Sequence, residues 1–321
     1  MLANLFNGAS ERAMANKAQA RWQALRHSRW WPALKAGALL GGLGMLVHWA
    51  LEERSLVLWD WRLLPGLLLS QLSMLAYAQR LRAALQIGGI TMGFRAALRT
   101  TMLSVFWHFF VPLSVGAELT RYNRIRQHAP QHSRLEIGAT LALDHLLGAG
   151  VLLILSSVLL FTLAPLGRWS WCIPLAALAL LGLGLLVARR VLARRLWPET
   201  AFSQLWRRRR ETCKALAYSA LMHSLLAAAV WLGSRGWQIA LDYPQLLFVQ
   251  SSAGLFQALP LNVAGAGAGE VAGLGLYLLM GLSRADALLL VSLLYCYKIA
   301  MAVLGGLWEL GDPQPHSPSA A

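Results

Sequence analysis

Charge is what this sequence has least of. Only 13% of its 321 residues are Asp, Glu, Lys or Arg, against about a quarter in ordinary soluble domains. With 57% hydrophobic residues and a mean hydropathy of +0.50, the chain lacks the polar material to cover a water-facing surface. That excludes a soluble globular domain and leaves a polytopic membrane protein. Acidic residues are scarcer still, 14 against 29 Lys and Arg, for a formal net charge of +15. Such a balance could fit nucleic acid, but the basic residues fall in short blocks between apolar runs. There they act as topology signals and attract anionic lipid headgroups, so nucleic acid is set aside as a partner. The three cysteines, Cys172, Cys213 and Cys296, are far apart and show no metal-ligand or redox spacing, which makes them packing residues.

What is present is a series of long apolar runs, at about 33–51, 63–79, 100–117, 137–164, 172–188, 215–233, 246–280 and 287–307. A basic, Ala-rich segment, residues 1–32, precedes them without a small-residue cleavage site, and is expected to be a cytoplasmic amphipathic arm. The Pro-rich stretch 308–321 reads as a disordered tail. Trp30, Trp31, Trp59, Trp61, Trp169 and Trp171 flank the runs as an interfacial belt.

Two runs are odd. Run 100–117 ends in "VPLSVGAELTR", where Pro112 removes a backbone donor and Gly116 a side chain. Run 246–280 is too long for one span and suffices for two half-helices joined at a bend. Loop charge marks the first of them independently, because Lys and Arg accumulate in the cytoplasm. The segments 80–99 and 118–134 are both basic, with Arg80, Arg82, Arg95 and Arg99 in one and Arg121, Arg124, Arg126 and Arg134 in the other. They cannot lie on opposite sides without breaking the rule, so 100–117 is expected to enter from the cytoplasm and return to it. Applied to the rest of the chain, the same count gives an all-α fold of about six full spans plus two re-entrant hairpins, in halves of about 33–164 and 172–307, the second inverted relative to the first. "VPLSVGAE" and "LPLNVAGAGAGE" then match as the two hairpin tips.

The glycine-rich stretch 259–275 has a rival reading as a dinucleotide loop, since Gly265 and Gly267 loosely echo that fingerprint. Such a loop needs a strand before it and a βαβ unit around it, and the flanks have no alternating pattern. An unwound segment inside the membrane fits better, because its bare backbone must face protein or a polar cavity.

These residues resemble a known family, the lysylphosphatidylglycerol synthase transmembrane-region family of flippase-like integral membrane proteins. "PLSVGAELTR" is similar to its first motif at Pro112, Gly116, Glu118 and Arg121. "LDHLLGAG" is similar to its second at Asp144, Leu146, Leu147 and Gly148, with His145 where the family has Arg. Pro260, Gly265, Gly267 and Glu270 match its Gly-rich third motif, with Gly269 in place of Arg and Val271 in place of Gly. The resemblance implies handling of polar lipids across a membrane. About 14 residues follow the last run, so the aminoacyl-transferase domain of bifunctional relatives is not expected, nor lysyl transfer.

The expected substrate-binding set is Pro112, Gly116, Glu118, Arg121, Asp144, Pro260, Asn262, Gly265, Gly267 and Glu270. Carboxylates inside a membrane are costly and therefore functional by default. The bland alternative is that Glu118 and Glu270 cap half-helices or pair with Arg121 and Lys298, while Asp144 could sit at an interface. His108, His145 and His223 are expected in the core. His128 and His132 are spaced i,i+4, but Pro130 between them argues against a helical zinc pair. No metal, cofactor or catalytic constellation is expected. The expected partners are a membrane phospholipid or lipid-linked substrate, with the chain in a bacterial inner membrane and its N-terminus cytoplasmic. Two alternatives stay open: a non-transporting scaffold for a lipid-modifying enzyme or glycosyltransferase, and an intramembrane lipid-modifying enzyme.

Overall fold

The computed structural model describes residues 63–110, 115–162, 200–257 and 267–310. The basic arm 1–32, the runs 33–51 and 172–188, Pro112, Pro260, Asn262, Gly265, the belt tryptophans and nearly all of the tail 308–321 lie outside them. Every regular element among the described residues is an α-helix: α1 (Leu63–Ile87), α2 (Phe94–Phe110), α3 (Val115–His128), α4 (Arg134–Thr162), α5 (Thr200–Arg207), α6 (Arg209–Gly236), α7 (Tyr243–Phe256), α8 (Ala268–Leu279) and α9 (Arg284–Leu310).

The protein is a polytopic membrane protein. Parts of α4, α6 and α9 (Arg134–Leu160, Arg209–Gly236 and Arg284–Glu309) are long and apolar enough to cross a bilayer. By contrast α2, α3, α7 and α8 have 17, 14, 14 and 12 residues, short of the roughly 20 that a span requires. Both odd runs are therefore pairs of short helices, and each pair packs together, α2 on α3 and α7 on α8.

The basic blocks need a correction. Arg80 and Arg82 lie inside α1, which continues to Ile87, and Arg121, Arg124 and Arg126 lie on α3. Ala, Leu, Gln and Arg are all good helix formers, so a block of charge ends an apolar run without ending the helix. What ends α1 is a change of backbone direction. Gly89 sits at φ +83°, its N–H donates to the Gln86 carbonyl, and that of Ile90 donates to Leu85, a Schellman cap. The same cap closes α6, where Gln238 takes φ 58° and the Gln238 and Ile239 amides donate to Arg235 and Ser234. In both places the next helix begins seven residues after the last ended, Ile87 to Phe94 and Gly236 to Tyr243.

The packing repeats in the same way. Helices α1 and α6 pack antiparallel: Gly66 abuts the Ala229 carbonyl, while Ala83 and Ile87 cluster with Ala215. Helix α2 packs on α9, and α7 packs on α4, so the first helix of each short pair lies against a long helix distant in the chain. At Gly305 the contact is so close that a Cβ would lie 2.2 Å from the Met102 carbonyl oxygen.

Two apolar clusters mark the two ends of the bundle. One joins Leu81, Leu85 and Ile90 to Ala97 at the start of α2, Ile125 and Ala129 at the end of α3, and Ile137. The feet of α2 and α3 thus share one end. Arg208 reaches that end as well, donating to the Gln86 carbonyl, which places the 200–214 segment beside it. The other cluster joins Leu63 and Leu160 to Ile239, Leu241 and Leu246 near the start of α7 and to Leu276 and Tyr277 near the end of α8. The feet of α7 and α8 share that opposite end.

Candidate functional site

Between the ends, four helices bring a charged cluster together. Arg80 of α1 donates to Asp144 of α4 through Nε at 2.9 Å and Nη2 at 2.7 Å, a two-pronged pairing that fixes both groups. Asp144 is fully buried, and Arg80 and Arg121 are 5% and 2% exposed. Arg121 of α3 brings Nη1 to 3.7 Å from the same carboxylate and donates through Nε to Ser104 of α2 at 3.3 Å. Both guanidiniums lie over the Tyr77 ring, 4.7 and 4.8 Å from its centre, a cation–π arrangement that strengthens where water is excluded.

Small residues make this reach possible. Gly148 lies one turn after Asp144 on α4, and a Cβ there would stand 2.8 Å from Arg80 Nη1. The Asp144 and Gly148 of the second motif are thus one device, the acid that takes the guanidinium and the gap that admits it.

One carboxylate between two guanidiniums leaves an excess positive charge, and burying an uncompensated charge is costly. Glu118, in the first turn of α3, offsets it with Oε1 3.5 Å from Arg121 Nη1. The same oxygen lies 3.0 Å from Nε2 of His145. Glu118 and His145 are exposed by 41% and 54% of their side chains, so this is the open edge of the cluster, and Arg121 Nη1, buried behind it, makes no hydrogen bond.

A second polar centre stands at the head of α8. Glu270 Oε2 accepts the Gly267 N–H at 2.8 Å, capping the helix, and Oε1 lies 2.5 Å from Lys298 Nζ on α9. A small pocket opens there, lined by Glu270, Gln250, Gln257 and Tyr277 among others. Gly269 allows the Gln257 amide to lie over the first turn of α8, since a Cβ would meet Gln257 Cγ at 2.3 Å. His108, in the last turn of α2, lies within electrostatic reach of Glu118, Glu270 and Lys298. Among the described residues no group of His, Cys, Asp or Glu is arranged to hold a metal ion.

Of the ten expected site residues, the structure brings Glu118, Arg121 and Asp144 together, with Gly116 two residues before Glu118. It sets Glu270 on the Gly267 amide, while Pro112, Pro260, Asn262 and Gly265 lie outside the described residues. The pairings Glu118–Arg121 and Glu270–Lys298 both form. Asp144 is the buried centre of the cluster. His145 is not a core residue either, because α4 turns it toward Glu118 at the open edge. Sequence reasoning missed Tyr77, Arg80 and Ser104. The signal for Arg80 was the unbroken helix-forming composition of 76–87, which a span count based on hydropathy cuts at the first arginine.

Long apolar helices alternating with pairs of helices too short to span define a class, polytopic membrane proteins. More narrowly, the chain belongs to the family described as the lysylphosphatidylglycerol synthase TM region, whose model matches residues 22–306. That family carries a membrane-lipid-related function. No curated protein and no solved structure matches the chain.

Proposed function

We propose that this protein translocates, or binds for translocation, a polar and anionic lipid or lipid-linked headgroup, acting as a flippase-like transporter and not as an enzyme. The observation that carries the reading is the placement of the two short-helix pairs. Their feet stand at opposite ends of the bundle, and α3 and α8 each carry a carboxylate in their first turn, Glu118 and Glu270. In this reading the pairs are re-entrant hairpins of an inverted repeat, and their tips meet near the midplane. Recurrent Schellman caps and reciprocal packing of α2 on α9 and α7 on α4 support it.

The end holding the feet of α2 and α3 carries most of the described arginines, including Arg95, Arg126, Arg134 and Arg207 to Arg210. It is the cytoplasmic side of a bacterial inner membrane by the rule that cations stay inside, with the N-terminus on that side. Arg80 and Arg121 supply fixed positive charge, and the heads of α3 and α8 supply the partial positive charge of helix N-termini. A headgroup phosphate is therefore held without a metal or cofactor. Lipid-modifying enzymes or glycosyltransferases are the partners this activity would serve.

The test is a reconstituted scrambling assay with fluorescent phosphatidylglycerol and an outer-leaflet quencher. The wild type is expected to expose inner-leaflet lipid, while Glu270→Gln and Glu118→Gln fold normally and lose most of that activity. Full activity in both variants removes the carboxylates from the mechanism and favours a scaffold. Chemical alteration of the lipid by the purified protein would instead establish an enzyme.

A further inference from the structure

Two acid–base pairs hold matching places in the two halves. Glu118 stands in the first turn of α3 and meets His145 on α4. Glu270 stands in the first turn of α8 and meets Lys298 on α9. The partners are 27 and 28 residues apart in sequence. Each pair ties the second helix of a hairpin to the long helix that follows it.

Each carboxylate also has somewhere else to go. Glu270 already shares itself with the Gly267 amide at 2.8 Å, and Glu118 already leans on Arg121 at 3.5 Å. Arg121 supplies an independent observation. It is 2% exposed, and its Nη1 points between Glu118 and Asp144 without making a hydrogen bond. At 3.5 and 3.7 Å from the two carboxylates it is paired by charge without a hydrogen bond, and a phosphate oxygen entering beside Glu118 would supply that bond.

We propose that Glu118–His145 and Glu270–Lys298 are matched latches, and that the N–H donors they hold receive a phosphate anion when the carboxylate lets go. Lys298 serves at one tip, His145 with Arg121 at the other. The proposal rests on the lipid-handling reading above and adds the residues and the chemistry: the ligand is a phosphate with free anionic oxygens. A phosphodiester headgroup and free inorganic phosphate share that chemistry. Carboxylate and phosphate compete for the same N–H donors, so each glutamate is a built-in competitor. The phosphate binds by displacing it and leaves when it returns. A carrier needs such a competitor, since an anion held by an uncontested buried cation would bind too tightly to be released.

The experiment titrates the full chain, purified in detergent, with dihexanoyl phosphatidylglycerol, dihexanoyl phosphatidylcholine and inorganic phosphate, following binding by thermophoresis and the fold of each variant by its melting temperature. Lys298→Gln is expected to weaken phosphatidylglycerol binding by roughly tenfold, the value of one charge-assisted contact, and Lys298→Arg to restore it. Glu270→Gln is expected to act in the opposite direction, tightening binding severalfold because Lys298 is released. His145→Gln, at an exposed position, is expected to weaken binding without altering the melting temperature. If Lys298→Gln and Glu270→Gln melt normally and leave phosphatidylglycerol binding unchanged, or shift it in the same direction, the latch is overturned and the lipid reading stands. If inorganic phosphate follows the predicted pattern while phosphatidylglycerol does not bind, the latch stands and the lipid reading falls. Failure of the wild type to bind either overturns both.

Discussion

Asp144→Asn keeps the size of the side chain at the centre of the cluster and removes its charge. Asp144 accepts two hydrogen bonds from Arg80 and faces Arg121 at 3.7 Å, and the three side chains are only 1%, 6% and 2% exposed. An amide retains one acceptor oxygen, so one charge-assisted bond survives in weakened form, but two guanidiniums are left facing each other across a neutral group. Removing one member of a buried pair costs about 3–5 kcal/mol, and the surviving bond places the expected loss near the lower figure. That is a large share of a domain stability of about 5–15 kcal/mol. Equilibrium unfolding in mixed micelles, with denaturing detergent as the variable, measures it. Combining Asp144→Asn with Arg80→Met should cost less than the sum of the single changes, with a coupling of about 1–3 kcal/mol. A loss under about 1 kcal/mol for Asp144→Asn, or simple additivity in the cycle, would show that the cluster does not hold the four helices together.

Gly148→Ala should push a methyl group against Arg80 Nη1 and cost about 1–3 kcal/mol by overpacking, measured in the same unfolding assay, and most of that cost should vanish in an Arg80→Met background. Gly305→Ala should be at least as costly, because the methyl meets the Met102 carbonyl and backbone cannot swing aside as a side chain can. Gly275→Ala is the control, with nothing within 4 Å of the added Cβ, and should be neutral or stabilising by up to about 1 kcal/mol through helix propensity. A larger loss at Gly275 than at Gly305 in melting temperature would contradict the α2–α9 packing.

The broken runs were legible because Pro112, Pro260 and the glycines are local facts. A proline removes a donor wherever it sits, and a 35-residue apolar run is too long for one span whatever surrounds it. Glu118 and Glu270 were legible for the same reason, since an isolated carboxylate among apolar residues marks itself. Arg80 was not, because its meaning comes from Asp144, which is 64 residues away. Read along the chain it is one more basic residue at the end of an apolar run, and only the turn of α1 that carries it inward separates it from Arg82. His145 failed in the opposite direction: it lies beside buried Asp144 in sequence, yet successive residues on a helix point about 100° apart, so one faces the core and its neighbour the open edge. Side-chain partnership across helices is set by packing, which one sequence does not display.

The inverted placement of the two hairpins is the claim on which the rest depends, and sidedness tests it most directly. In a background lacking Cys172 and Cys296, native Cys213 is exposed and reports the 200–214 segment. Gln127→Cys reports the foot of α3, and Ser283→Cys the turn between α8 and α9, both exposed positions. Labelling of intact cells with a membrane-impermeant maleimide should modify position 283 alone, with 127 and 213 reacting only once the membrane is opened. Labelling of 127 from outside, or equal access to 127 and 283, would mean that the two hairpins do not enter from opposite sides.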